Sequence, residues 1–137
     1  MKTVSRATFS ARIIRSGCAD APALVSPEPI GFLGGVDGKT GDVTERGHPL
    51  EGANVAGKVL VFPTGKGSTV GSYVLYELAA NGLAPAAIIN AESEPIVAVG
   101  AIISNIPMVD HIPIDGIKTG DRVRIEGATV TVWSSSG

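Results

Sequence analysis

A chain of 137 residues is long enough for one domain with its own core and short for two. Hydrophobic residues make up 44 % and the mean hydropathy is +0.28, which excludes a disordered chain. A net charge of −2 with no basic stripe argues against a nucleic-acid partner, and the single cysteine, Cys18, excludes an internal disulfide and fits a reducing, cytoplasmic setting.

In chain order, Thr3 to Ile14 alternates polar and apolar residues and predicts a strand, with no apolar run of the kind that opens a signal peptide. Gly17 to Pro22 reads as a bend. Ala23 to Ser26 reads as a short strand stopped by Pro27 and Pro29. Gly31-Phe32-Leu33-Gly34-Gly35-Val36-Asp37 is glycine-rich yet carries large apolar side chains, which fit core filling. Asp37 to Gly41 is turn chemistry, with Asp37 as an Asx-turn residue, and residues 47–55 are irregular.

Lys58 to Phe62 is a compact β-rich run that predicts a buried strand. A glycine loop follows, and then a helix over 70–81, with Val70, Val74, Leu75 and Leu78 on one face and Gly82 as its stop. Ala86 to Asn90 predicts the next strand, so strand, loop, helix and strand form a βαβ unit with parallel strands. Ile96 to Asn105 predicts a second short helix and Met108 to Ile112 another strand. The apolar stretch 95–109 is broken by Gly100, Ser104, Asn105 and Pro107, too interrupted to span a bilayer. After a turn at 115–121, Arg122 to Ile125 and Thr129 to Trp133 predict an antiparallel pair closing a single domain over 1–133, with 134–137 as a flexible tail.

The chemistry concentrates in Gly65-Lys66-Gly67-Ser68-Thr69. Glycines there let the backbone approach a ligand closely, and the N–H groups that open a helix, with the positive dipole end, make a cup for an anion. Lys66 adds a donor for carboxylate or phosphate. The loop is no Walker A motif, because Leu60 stands where its first glycine belongs and Gly67 follows the lysine. Taken alone, Ser68 reads first as a helix N-cap worth about 1 kcal/mol. A catalytic role requires backbone N–H groups that stabilise an alkoxide as an oxyanion hole stabilises developing charge. Ser72, one turn on, is a candidate substrate contact facing the same cup. His48 and His111 lack partners at metal-ligand or triad spacing and read as surface or structural residues. Cys18 reads as a small apolar filler, with a surface thiol as the alternative.

Several blocks in order make the chain similar to a known family. They are Gly31 to Asp37 with Thr40-Gly41, Gly57 to Pro63, Gly65 to Leu75, Ala84 to Ile89, and Gly100 to Ile103. From about Ala7 to Val132 the sequence resembles the small subunit of aconitase X, a branch of the aconitase superfamily. The resemblance implies an α/β fold: a swivelling β/β/α domain like the mobile last domain of aconitases, β-rich with a central βαβ unit. It also implies that Ser68 is the serine alkoxide that takes the substrate proton, with Gly65, Lys66, Gly67, Thr69 and Ser72 binding a small anionic substrate. For Phe32, Leu33 and Val36 the resemblance implies, in place of core filling, a subunit interface or the wall of the active cleft. Aconitases place an arginine after the serine pair, where this chain has Val70, so that carboxylate contact must come from elsewhere.

The resemblance further implies a large partner subunit holding a 4Fe-4S cluster. Such a cluster needs several cysteines, and one is present here, so this chain is expected to bind no metal itself. Archaeal two-subunit members look like dehydratases of mevalonate 5-phosphate, and bacterial ones act on cis-3-hydroxy-L-proline. Phe32-Leu33 resembles the archaeal form, where bacterial relatives tend to carry Trp after the Phe. The expected function is therefore a hydro-lyase subunit, inactive alone. The hydroxyproline enzyme and a stand-alone anion-binding module are the alternatives.

Overall fold

The computed structural model describes residues 3–136. Eight strands form one mixed sheet in the order β1-β8-β7-β3-β4-β5-β6-β2. They are β1 (Thr3–Ser10), β2 (Arg12–Arg15), β3 (Cys18–Val25), β4 (Val59–Phe62), β5 (Ala87–Asn90), β6 (Met108–Asp110), β7 (Arg122–Glu126) and β8 (Thr129–Ser136). Two helices, α1 (Gly71–Ala80) and α2 (Pro95–Ile103), cross over between β4, β5 and β6, which are parallel neighbours. This is the expected βαβ unit followed by a second one.

The predicted first strand is split. Ala11 separates β1 from β2, and the two lie at opposite ends of the strand order, so the sheet curls until its edges meet. The Ala11 N–H donates to the Ala128 carbonyl at 2.8 Å and holds that corner. The bend expected at Gly17 to Pro22 is instead the first half of β3. Cys18 to Pro22 pair antiparallel with β7, and Ala23 to Val25 then pair parallel with β4. Only one side of that first half is laddered, which is why Pro22, with no N–H, is tolerated there. β8 runs on through Ser134 to Ser136 against β1, so a free tail from residue 134 is corrected to paired strand; Gly137 lies outside the described residues.

Two apolar layers lie on either side of the parallel strands. In β4, Val59 and Val61 join Ile89, Val109, Val123 and Val130 on one face, while Leu60 and Phe62 join Leu75, Leu78, Ile88 and Val97 under the helices. Because successive side chains point to opposite faces, a strand buried on both reads as an unbroken apolar run, as Lys58 to Phe62 does. The long connection from Ser26 to Gly57 adds Ile30, Phe32, Val36, Val43, Leu50 and Val55 to the helix-side layer. Phe32 meets Phe62 edge to face with ring centres 6.2 Å apart. Phe32 and Val36 are thus core, whereas Leu33 between them is half exposed.

Candidate active site

The glycine loop leaves the C-terminal end of β4 and is held from two sides. The Ile30 N–H donates to the Thr64 carbonyl (3.3 Å) and the Lys66 N–H to the Ile30 carbonyl (3.1 Å), which lays the Gly31 to Asp37 segment beside the loop. Gly31 packs so closely that a Cβ there would stand 3.1 Å from the Lys66 carbonyl oxygen. Gly65 is buried, and a Cβ on it would collide with the Glu94 carboxylate, which lies beneath the loop. Glu94 in turn caps α2, accepting from the Ile96 N–H at 2.9 Å and the Val97 N–H at 2.7 Å. Gly67 has φ +94°, a backbone shape that disfavours any side chain.

That turn puts Ser68 at an exposed tip. Its Oγ accepts from the Val70 N–H at 3.2 Å, and Val70, not Ser68, is the residue at the start of α1. The anion cup also differs from the one expected. The first helical N–H groups are already used: Gly71 donates to the Ser68 carbonyl, Ser72 to Thr69 and Tyr73 to Val70. Among the described residues, the N–H groups of Gly67, Ser68 and Thr69 have no acceptor, so free donors sit in the loop itself. The site therefore offers an exposed hydroxyl held by one N–H, with further N–H donors free in the same loop.

The other candidates spread more widely. Lys66 Nζ lies 3.2 Å from Glu45 Oε2, a partner 21 residues away that no local pattern announces. Thr69 is exposed beside Ser68. Ser72 is buried and donates its hydroxyl hydrogen to the Ile96 carbonyl at 2.7 Å, which ties α1 to α2. Glu94 was missed, although Pro95 at the first helical position is a readable helix-start signal; glutamate is simply not among the favoured caps.

Cys18 is exposed, so the apolar-filler reading is corrected. It opens β3, on the side of the sheet away from the C-terminal end of β4 that launches Ser68. His48 is structural: its Nδ1 accepts from the Leu50 N–H and its Nε2 lies 3.1 Å from the Pro29 carbonyl. Asp37 forms the expected turn, accepting from the Lys39 N–H at 2.8 Å.

A charged cluster stands at the β2–β6 edge. Arg12 clasps buried Asp110 with two bonds (2.9 and 2.7 Å), and the Ser93 N–H adds a third at 2.9 Å. Burial alone pushes the Asp110 carboxyl up, but these donors outweigh it and hold it at about 2. His111 contacts Glu92 at 3.1 Å, and Glu92, Asp110 and His111 bring possible ligand atoms within 4.8 Å of one another. Both Asp110 oxygens are already bonded to Arg12, so the geometry is that of an ion-pair cluster. Among the described residues no helix is long and apolar enough to cross a membrane.

A curled mixed sheet with two crossover helices and an exposed serine loop is the architecture of a swivel-type domain. The family model of the aconitase X swivel domain matches residues 8–132, and the chain belongs to that family. A chain from Methanocella arvoryzae named phosphomevalonate dehydratase small subunit is 62 % identical over 117 residues, covering 83 % of this chain and 89 % of that one. A chain of the same name from Thermococcus kodakarensis is 55 % identical over 115 residues, covering 84 % and 86 %. A crystal structure of Thermococcus kodakaraensis aconitase X in its holo form superposes with a TM-score of 0.90 at 50 % identity, over 92 % of this chain and 98 % of that one.

Proposed function

We propose that this chain is the small subunit of a hydro-lyase that eliminates water from mevalonate 5-phosphate, with Ser68 as the base. The observation that carries the assignment is the Val70 N–H bonded to Ser68 Oγ at an exposed tip, beside the free N–H groups of Gly67, Ser68 and Thr69. The alkoxide takes a proton from the carbon next to the hydroxyl-bearing one. The C–H electron pair becomes the C=C bond, and the hydroxyl leaves with its bonding pair and takes a proton from solvent to become water. The serine then returns its proton to solvent. Lys66, released from Glu45, and the loop N–H groups hold the anionic substrate; Gly65 and Gly67 shape the loop, and Ser72 positions it from the helix beneath.

The 4Fe-4S cluster expected of the family does not fit this chain, whose lone Cys18 is exposed and distant in the fold from Ser68. We place the cluster on a large partner subunit, and the chain alone is expected to be inactive. The phosphomevalonate name of the relatives favours this substrate over cis-3-hydroxy-L-proline.

The test is reconstitution with the large subunit and an assay of water elimination from both substrates. Ser68→Ala is expected to lower kcat on mevalonate 5-phosphate by about 10²–10⁴, the usual worth of a positioned base. Full activity of that variant overturns the base assignment. Turnover of the hydroxyproline alone overturns the substrate assignment. Anion binding by the isolated chain, with no complex formed, points instead to a stand-alone module.

A further inference from the structure

The helices leave an apolar groove beside the proposed base. Its volume is about 490 Å³, and Thr69, Tyr73, Pro95, Ile96, Val99 and Ile103 line it with Ser72 at its floor. No lining residue is charged, and the Ser72 hydroxyl hydrogen is already given to Ile96. Tyr73 is 68 % exposed, Val99 49 % and Ile103 44 %, while Val70 (46 %) and Leu33 (51 %) extend the same apolar character at the loop end. The backbone of Leu33 and the side chain of Ile96 both lie within 4 Å of a Cβ placed on Gly71, so Leu33 adjoins the helix pair.

We propose that this groove, with Leu33 and Val70 at its rim, is the surface on which the large subunit docks. The inference rests on the reading of the chain as a small subunit. At the exposures given, these five side chains present on the order of 500 Å² of surface, at the upper end for the largest patch on a monomer and more than half of the roughly 800 Å² each partner gives a standard interface. The groove begins at Thr69, one residue from Ser68, so a partner seated in it also closes over the serine and excludes water from the proton transfer. A second copy of this chain is the poorer occupant. It would press two serine loops together and leave neither facing a complementary half-site. The exposed tyrosine and the branched aliphatic residues around it fit an apolar, uncharged surface on the partner.

The experiment measures binding of the full chain to the purified large subunit by interferometry, with turnover measured on the same samples. Val99→Glu with Ile103→Glu is expected to weaken the complex by at least about 30-fold, and Tyr73→Ser by about 10-fold. Lys118→Glu, on an exposed turn elsewhere, is expected to leave affinity unchanged. Excess of the weakened variants restores turnover, which shows that they still fold and carry a competent Ser68. Ser68→Ala, run in parallel, keeps wild-type affinity. Wild-type affinity in both groove variants overturns the docking surface while leaving the small-subunit reading intact. A wild-type chain that binds no large subunit overturns that reading and the surface with it. Loss of self-association in the groove variants, with large-subunit affinity unchanged, assigns the groove to a second copy and overturns the proposal.

Discussion

Gly67 shows how one backbone angle sets the position of a hydroxyl. A Cβ added there meets only the Gly31 Cα at 3.9 Å, so space is not the obstacle; φ +94° is. Gly67→Ala is expected to cost about 1–2 kcal/mol if the angle is kept. The loop relieves that cost by turning, which carries Ser68 Oγ away from the Val70 N–H. The outcome to look for in steady-state kinetics is a kcat lower by about tenfold or more with a nearly unchanged affinity for the large subunit. Gly65 is constrained by contact instead, because its missing Cβ is the space that the Glu94 carboxylate occupies. Glu94→Ala removes both cap bonds of α2 and is expected to destabilise the chain by about 1 kcal/mol, read as a drop of a few degrees in Tm. Of these residues the glycines and Ser68 stand out in the sequence, because glycine between a strand and a helix is a local signal. Glu94 and Glu45 do not, since what they touch lies 29 and 21 positions away, at Gly65 and Lys66.

Among the elements, the α1–α2 crossing has the tightest geometry. A Cβ on Gly100 would stand 2.6 Å from Leu75 Cδ1 and 3.2 Å from the Ser72 backbone. Leu75 is fully buried and has nowhere to swing. Alanine at 100 would gain up to about 1 kcal/mol of helix propensity, so the larger Gly100→Val gives the clearer sign. Overpacking there is expected to cost about 1–3 kcal/mol and to spread the helices, which a chemical denaturation midpoint reports directly. Because the docking groove lies between the same helices, that variant is also expected to bind the large subunit more weakly. The helices themselves were legible from apolar spacing, and α2 starts at Pro95 only one residue before its expected start. β3 was not. Cys-Ala-Asp-Ala-Pro has no strand propensity of its own, and it is extended because β7 supplies a ladder for it.

The β2 edge of the sheet is held to its neighbour by charge as well as by backbone. Arg12 on β2 reaches Asp110 on β6, 98 residues on, and the carboxyl is held at about 2, below its unfolded value near 3.9. A lowered folded pKa contributes stability above the unfolded pKa and loses it as pH falls toward the folded one. This contribution, on the order of 2 kcal/mol, is therefore complete above about pH 5 and fades between about pH 4 and 2. Thermal melts of the wild type are expected to show that loss. Asp110→Asn, which leaves Arg12 without its counter-charge, is expected to melt lower at pH 7 and to change less across the acid range.

Local order and bulk character were readable from the residues alone. Alternation and unbroken apolar runs marked the buried strands, helical spacing marked α1, and a glycine loop between them marked where a ligand can meet the backbone. Those signals are local because side-chain period and φ preference are properties of neighbouring residues. What they left open was decided by contacts between distant segments. Folding split the first strand between two edges, buried Phe32 and Val36 while turning Leu33 outward, and set Cys18 on the surface. It also changed the meaning of Ser68. As a residue before a helix it reads as a cap; in the folded chain Val70 starts the helix and gives its N–H to the serine oxygen, so the hydroxyl stands exposed at the tip of the loop. Which N–H groups are spent on the helix and which remain free for a ligand depends on where the turn closes, and that is a property of the packed loop.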